Sequence, residues 1–265
     1  MIVEFEIGVF VLCLVVAGWR WGTFARQWMT LHFWGDARMS AYAGALPIVA
    51  GLLLYAVLLF WADQWVRNSY VYQVFYFVMG AAWVGMATWL TQALGIGIRD
   101  DVLERRNRAA AAALGGAVLA ITFCFAGANI GDGPHFGVVI YCAAMATGAL
   151  LVVWLVLEVT SHISETITVE RNLSSGVRLA GVLVAAGLMM GRAVAGDWVS
   201  VGATVADFRQ FILPLSVLLL AAWTMEMVGR PTSCRRHDLS ISQGLLPAVC
   251  YVGGAVMYLL WVGWW

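Results

Sequence analysis

The chain has 265 residues, 62% of them hydrophobic and only 11% charged, with a mean hydropathy of +0.85. Soluble domains carry roughly 25% charged residues, so lipid must cover much of this surface. Fifteen basic residues, every one an Arg, balance fifteen acidic ones; with no clustered basic face, nucleic acid is not expected among the partners.

Crossing a hydrocarbon layer about 30 Å thick takes about 20 apolar residues per helix. Eight stretches meet or approach that length: 4–20, 41–62, 70–97, 108–130, 137–161, 174–195, 206–228 and 243–263. The expected fold class is therefore all-α, a polytopic membrane helix bundle of about eight transmembrane helices. The first apolar run, Ile7 to Trp19, follows Glu4 and Glu6 instead of a basic segment and lacks a clear small-x-small cleavage site, so it is expected to be a retained helix and not a signal peptide. Residues 21–39 read as an amphipathic helix lying in the headgroup layer. Trp21, Phe24, Trp28 and Leu31 share one helical face there, with Arg20, Arg26, His32 and Arg38 nearby.

The middle of the chain repeats itself. Glu104-Arg105-Arg106-Asn107 leads into the fourth stretch, and Glu170-Arg171-Asn172 leads into the sixth, 65 residues later. Each stretch closes on Gly-Asp 25 residues after its Asn, at Gly131-Asp132 and Gly196-Asp197. Asn is a favoured N-cap because its side chain accepts from an orphan backbone N–H, and Gly suits the left-handed position past a helix end. The unit is two helices with a loop between them. Residues 1–66 form an N-terminal pair, 67–131 unit two, 132–196 unit three and 197–265 unit four. Arg235-Arg236 aligns weakly with Arg105-Arg106, and Gly44 to Pro47 resembles Gly244 to Pro247. Units that cross twice keep one orientation, so an axis along the membrane normal should relate them.

Twelve of the fifteen arginines fall in or beside the connections after the first, third, fifth and seventh stretches; the others are Arg67, Arg192 and Arg209. An Arg excess marks the cytoplasmic side. Both termini are then expected on the periplasmic or external side of a bacterial inner membrane.

Two constellations are candidate sites. Arg106, Asn107, Arg171, Asn172 and Arg236 read first as caps and interface markers, and more sharply as loops that hold an anionic lipid headgroup or a partner. Glu158 and Arg178 form a candidate intramembrane ion pair, since ionisable residues within spans mark functional positions or pair with each other. Gly127-x-x-x-Gly131 and Gly187-x-x-x-Gly191 predict close helix crossings without naming the partner. The five cysteines form no CxxC pair, and no metal-ligand set, phosphate loop, dinucleotide fingerprint or nucleophile elbow is present. His32, His135, His162 and His237 sit near span ends, where they could not ligate a haem inside the bundle. No catalytic residue, metal or cofactor is expected.

The stretches Glu104 to Gly116 and Glu170 to Gly181, each an acidic Arg-Asn loop opening a small-residue helix, resemble the bacterial membrane family called domain of unknown function 350. The resemblance runs from about Tyr70 to Trp198. It implies a small multi-helix inner-membrane protein, often duplicated and encoded near envelope-stress proteins, and it carries no enzymatic residues. Arg106 and Arg171 stand where the family commonly has Gly, and the Trp-rich N-terminal section is additional. The function expected is a non-enzymatic structural or sensing component of an envelope-associated complex, with membrane lipids, including anionic ones, and protein partners or a second copy. The alternative is a channel or carrier for an ion or small solute, which requires a continuous polar path between the two faces.

Overall fold

The computed structural model describes residues 2–32, 37–229 and 240–263. Its elements are α1 (Ile2–His32), α2 (Ala37–Phe60), the short α3 (Gln64–Arg67), α4 (Tyr70–Ala93), α5 (Arg108–Gly127), α6 (Phe136–Ser161), the short α7 (Ile163–Thr168), α8 (Leu173–Ala193), α9 (Val201–Gln210), α10 (Ile212–Val228) and α11 (Leu246–Val262). Two π-helical turns, Ile98–Glu104 and Ile241–Leu245, lie ahead of α5 and α11. Among the described residues, seven helical stretches are long and apolar enough to cross a bilayer. α9 and α10, bent by 40° at Phe211, make an eighth if taken as one span. The protein is an all-α multi-pass membrane bundle.

Two expectations are corrected. There is no separate in-plane helix over 21–39: α1 runs on through Trp21 to His32, and residues 37–39 open α2. Arg20 Nε donates to the Gly85 carbonyl at 3.0 Å and Trp21 Nε1 to the Ala81 carbonyl at 2.9 Å, while Trp28 lies against Gly44. The aromatic face that suggested a membrane-surface helix instead packs on α4 and α2. The seventh span begins earlier than residue 206, at Val201, and breaks at Phe211. Pro214 has no N–H to donate to the carbonyl four residues back, Gln210, so the helix cannot run straight through.

The helices stand in two layers of four. One layer holds α1, α4, α6 and the α9–α10 pair; the other holds α2, α5, α8 and α11. Neighbours within a layer run parallel. Phe10 stacks on Phe75 and Arg20 reaches Gly85 between α1 and α4, and Trp83 donates to Thr147 between α4 and α6. In the second layer Tyr42 donates to the Ala111 carbonyl between α2 and α5, and Ser240, just ahead of α11, donates to Ser174 of α8. Each hairpin contributes one helix to each layer.

At the centre, α5 and α8 touch backbone to backbone over their whole length. A Cβ added to Gly176 would lie 2.3 Å from the Ala109 carbonyl oxygen, one on Gly116 2.4 Å from Ala180 Cα, one on Gly187 2.5 Å from Ala120 Cα, and one on Gly127 2.2 Å from the Gly191 carbonyl oxygen. Real Cβ atoms do not approach that closely. Lipid tails are as apolar as Leu, so helices in a membrane associate through close packing, and only small residues permit such a crossing. The partner that the glycine spacings left unnamed is the equivalent helix. Gly187→Leu should separate the two helices and lower the thermal unfolding temperature in lipid nanodiscs, by the equivalent of about 2 kcal/mol or more. Gly148→Ala on α6, where a Cβ meets nothing within 4 Å, should leave stability unchanged or raise it by up to about 1 kcal/mol.

Candidate functional site

The starts of α5, α8 and α11 share one end of the bundle with the end of α1, called here the arginine end. The approach to α5 and the approach to α8 are built alike. The Asn107 N–H donates to Asp101 and the Asn172 N–H to Thr166; the Arg105 N–H donates to Asp100 and the Glu170 N–H to Glu165. Arg106 and Arg171, just before the caps, hold φ of +52° and +53°. A left-handed backbone costs an L-residue with a Cβ about 1–2 kcal/mol, which fits the Gly that the resemblance implies there. Asn107 Oδ1 accepts from Ala109 N at 2.9 Å and Ala110 N at 3.3 Å, and Asn172 Oδ1 accepts from Ser175 N at 2.9 Å. Both Asn are buried, and Asn107 Nδ2 donates to the Ile167 carbonyl at 2.7 Å, tying the first loop to α7. The structure thus brings Asn107 and Asn172 together in the cap arrangement, with Arg106 and Arg171 exposed beside them. Arg236 lies outside the described residues.

The sequence placed Arg178 in an ion pair with Glu158, and the structure corrects the partner. Arg178 is 1% exposed and grips Glu226 of α10 in a two-pronged pair, Nε to Oε1 at 2.6 Å and Nη2 to Oε2 at 2.7 Å. Nη2 also donates to Ser175 Oγ at 2.9 Å, and Nη1 donates to the Gln243 carbonyl. Glu158 instead caps the turn into α7, accepting from Ser164 N at 2.9 Å and Ser164 Oγ at 2.6 Å. Two residues outside the pair make room for it. Pro247 cannot donate to the carbonyl four residues back, which is Gln243, so that oxygen is free for Arg178. Gly229 lacks the Cβ that would sit 3.1 Å from Arg178 Nη1. The guanidinium joins α8, α10 and the turn ahead of α11 and does not snorkel to water.

Midway between the ends the described interior is apolar and tightly packed, with Val118, Ile121, Cys124, Leu150, Leu183 and Ala186 all 3% exposed or less. Its buried hydroxyls are used locally: Thr122 donates to the Val118 carbonyl, and Thr147 accepts from Trp83. The polar cavities lie at the two ends, and those at mid-depth are lined by apolar and small residues.

The family comparison extends the same frame. The Domain of Unknown Function (DUF350) family matches residues 48–194, more than half of the chain. The chain belongs to the DUF350 family. The match begins inside α2, earlier than residue 70, and closes at Val194, just past α8. No curated protein and no solved structure matches the chain. Arg178 lies inside the DUF350 region, whereas Glu226 and Gln243 lie beyond it. The last hairpin is therefore fastened onto the DUF350 core by a buried ion pair, and the first helix by Arg20 and Trp21.

Leaving Arg178 buried without its acid should be far worse than loosening a cap. Glu226→Ala should cost about 3–5 kcal/mol of stability, and the joint change Arg178→Met with Glu226→Leu should recover most of it; thermal unfolding in nanodiscs reads both. At Arg171 the backbone sets the order: Gly should be nearest the wild type, Ala next and Val least stable, because a β-branched residue is the least tolerant of φ near +53°.

Proposed function

We propose that this DUF350 protein is a non-enzymatic component of a multi-protein assembly in a bacterial inner membrane, with structural or sensing duty, its arginine end in the cytoplasm and its termini outside. One observation carries the reading. Gly18 and Gly22, spaced Gly-x-x-x-Gly on the edge helix α1, would meet no atom within 4 Å if given a Cβ, and the same holds for Gly253 and Gly254 on α11 at the opposite side of the array. Glycine within a helix costs about 1 kcal/mol relative to Ala. The glycines between α5 and α8 repay that cost through close packing inside the chain, whereas those at the edges do so only when another helix lies against them. The two hairpins around α5 and α8 are read as copies of one module, and the flanking pairs present the edges.

The exposed arginines beside the Asn caps add a second surface, suited to anionic headgroups on the cytoplasmic leaflet. The apolar, closely packed mid-section supports assembly over the channel or carrier alternative.

Chemical cross-linking and native gels of the protein in its own membrane test the reading. The expected result is a species larger than the monomer that Gly18→Ile with Gly22→Ile abolishes while the unfolding temperature stays unchanged. A wild-type protein that is monomeric and cross-links to nothing overturns it. So does liposome leakage of a monovalent ion well above that of protein-free vesicles.

A further inference from the structure

The layer of α2, α5, α8 and α11 carries an open apolar groove of about 630 Å³, within the range of ligand clefts. Every lining residue belongs to that layer, so the groove faces away from the other one. Gly115 and Gly116 of α5 with Ala180 and Gly181 of α8 form its floor, and Tyr42 of α2 and Val249 of α11 stand at its sides. The floor is low because α5 and α8 spend small residues on their mutual contact. Tyr42 is held by its bond to the Ala111 carbonyl at 3.1 Å, and a Cβ on Gly115 would strike its hydroxyl oxygen.

Length is the first indication of what the groove takes. On α5 the lining runs from Ala112 to Leu119, and on α8 from Val177 to Val184. Those helices begin at Arg108 and Leu173, so the groove opens about 6 Å below the helix starts and closes about 16 Å below them, at 1.5 Å per residue. One leaflet of hydrocarbon is about 15 Å deep. A partner's transmembrane helix would need a trough twice as long, whereas the acyl chains of a lipid in the leaflet at the arginine end need no more.

Charge is the second. Arg108, Ala112, Gly115 and Leu119 lie on one face of α5, so the guanidinium stands in line with the groove at its arginine end. Arg108 and Arg171 are exposed and make no hydrogen bond or ion pair with a described residue. Nearby, Arg99 and Arg105 are paired with Glu104 and Asp101. The heads of α5 and α8 touch, since a Cβ on Gly176 would strike the Ala109 carbonyl, and this puts both unpaired arginines at one mouth.

We propose that the groove holds the acyl chains of one anionic phospholipid of the cytoplasmic leaflet, with its phosphate on Arg108 and Arg171. Guanidinium donors match phosphate oxygens in geometry and charge, and the glycine floor gives the chains a depth that bulkier side chains would fill. The site deepens the reading of the arginine end as a headgroup surface and rests on it, but not on assembly.

Photo-crosslinking of the full chain in phosphatidylcholine nanodiscs tests the proposal. The probe is phosphatidylglycerol with a diazirine midway along one acyl chain, and the control is phosphatidylcholine carrying the same chain. Mass spectrometry should find the phosphatidylglycerol label concentrated on residues 112–119 and 177–184, at least about fivefold above the control. Arg108→Gln with Arg171→Gln should bring the two probes level, and Ala112→Phe, which fills the groove and keeps both arginines, should move the label elsewhere. Equal labelling of the wild type by the two probes, label spread evenly over outward residues such as Leu12 and Leu52, or an excess that survives the loss of both arginines would each overturn the proposal. So would a groove that neither probe reaches while a second copy cross-links to it. The comparison of probes on the wild type needs no variant to fold. A monomer that still prefers phosphatidylglycerol at the groove would overturn the assembly reading and support this one.

Discussion

Everything else in the molecule is arranged around two parallel helices whose backbones touch. In water a contact of this kind would be one packing detail among many, because burial of any apolar surface would hold the helices together. In a membrane that driving force is absent between helices, and the approach of α5 to α8 must supply it through dispersion along more than five turns. The sequence cost is visible: Gly116, Gly127, Gly176, Gly187 and Gly191 occupy helical positions where a methyl group would strike the neighbouring main chain. The ends of the pair are fixed as firmly as its middle, by the Asn caps and the Asn107 to Ile167 bond at one end and by the Gly-Asp turns bonded to each other at the other.

The outer helices attach to this pair by polar fasteners placed where hydrocarbon makes them strong. Arg178 is the clearest case. A buried guanidinium is tolerable only when it is paired and further hydrogen-bonded, and the chain supplies a carboxylate from α10, a hydroxyl from its own helix and a carbonyl to which Pro247 cannot donate. Proline, glycine and a charge pair separated by many residues thus act as one device. On the far side Arg20 and Trp21 reach carbonyls of α4, whose helix geometry leaves each oxygen a second lone pair.

Hydropathy made the spans legible because lipid demands long apolar runs, and residue type made the caps legible because Asn and Gly have local backbone chemistry. Partners were harder to read. Gly187-x-x-x-Gly191 announces a close crossing on any helix, and nothing in its spacing says that Ala120 and Phe123 lie opposite. Glu158 and Glu226 both sit near the arginine end of helices that flank α8, so composition could not choose between them; what decides is that Ser164, six residues on, claims Glu158. The stripe of Trp21, Phe24 and Trp28 fits a headgroup layer and a helix interface equally well, and only the uninterrupted helix through Gly22 separates the two. The groove over α5 and α8 was invisible in sequence because its sides come from positions as far apart as Tyr42 and Val249.

The account stands on α5 and α8 running side by side in the same direction. Pulsed electron-resonance distances between spin labels in nanodiscs, on a cysteine-free background, measure this directly. Labels on Arg108 and Arg171 should lie within about 20 Å of each other, and so should labels on Asp132 and Asp197, while Arg108 to Asp132 should span at least about 30 Å, the length of a helix of this size. A short distance at one end with a long one at the other, or long distances at both, would contradict it.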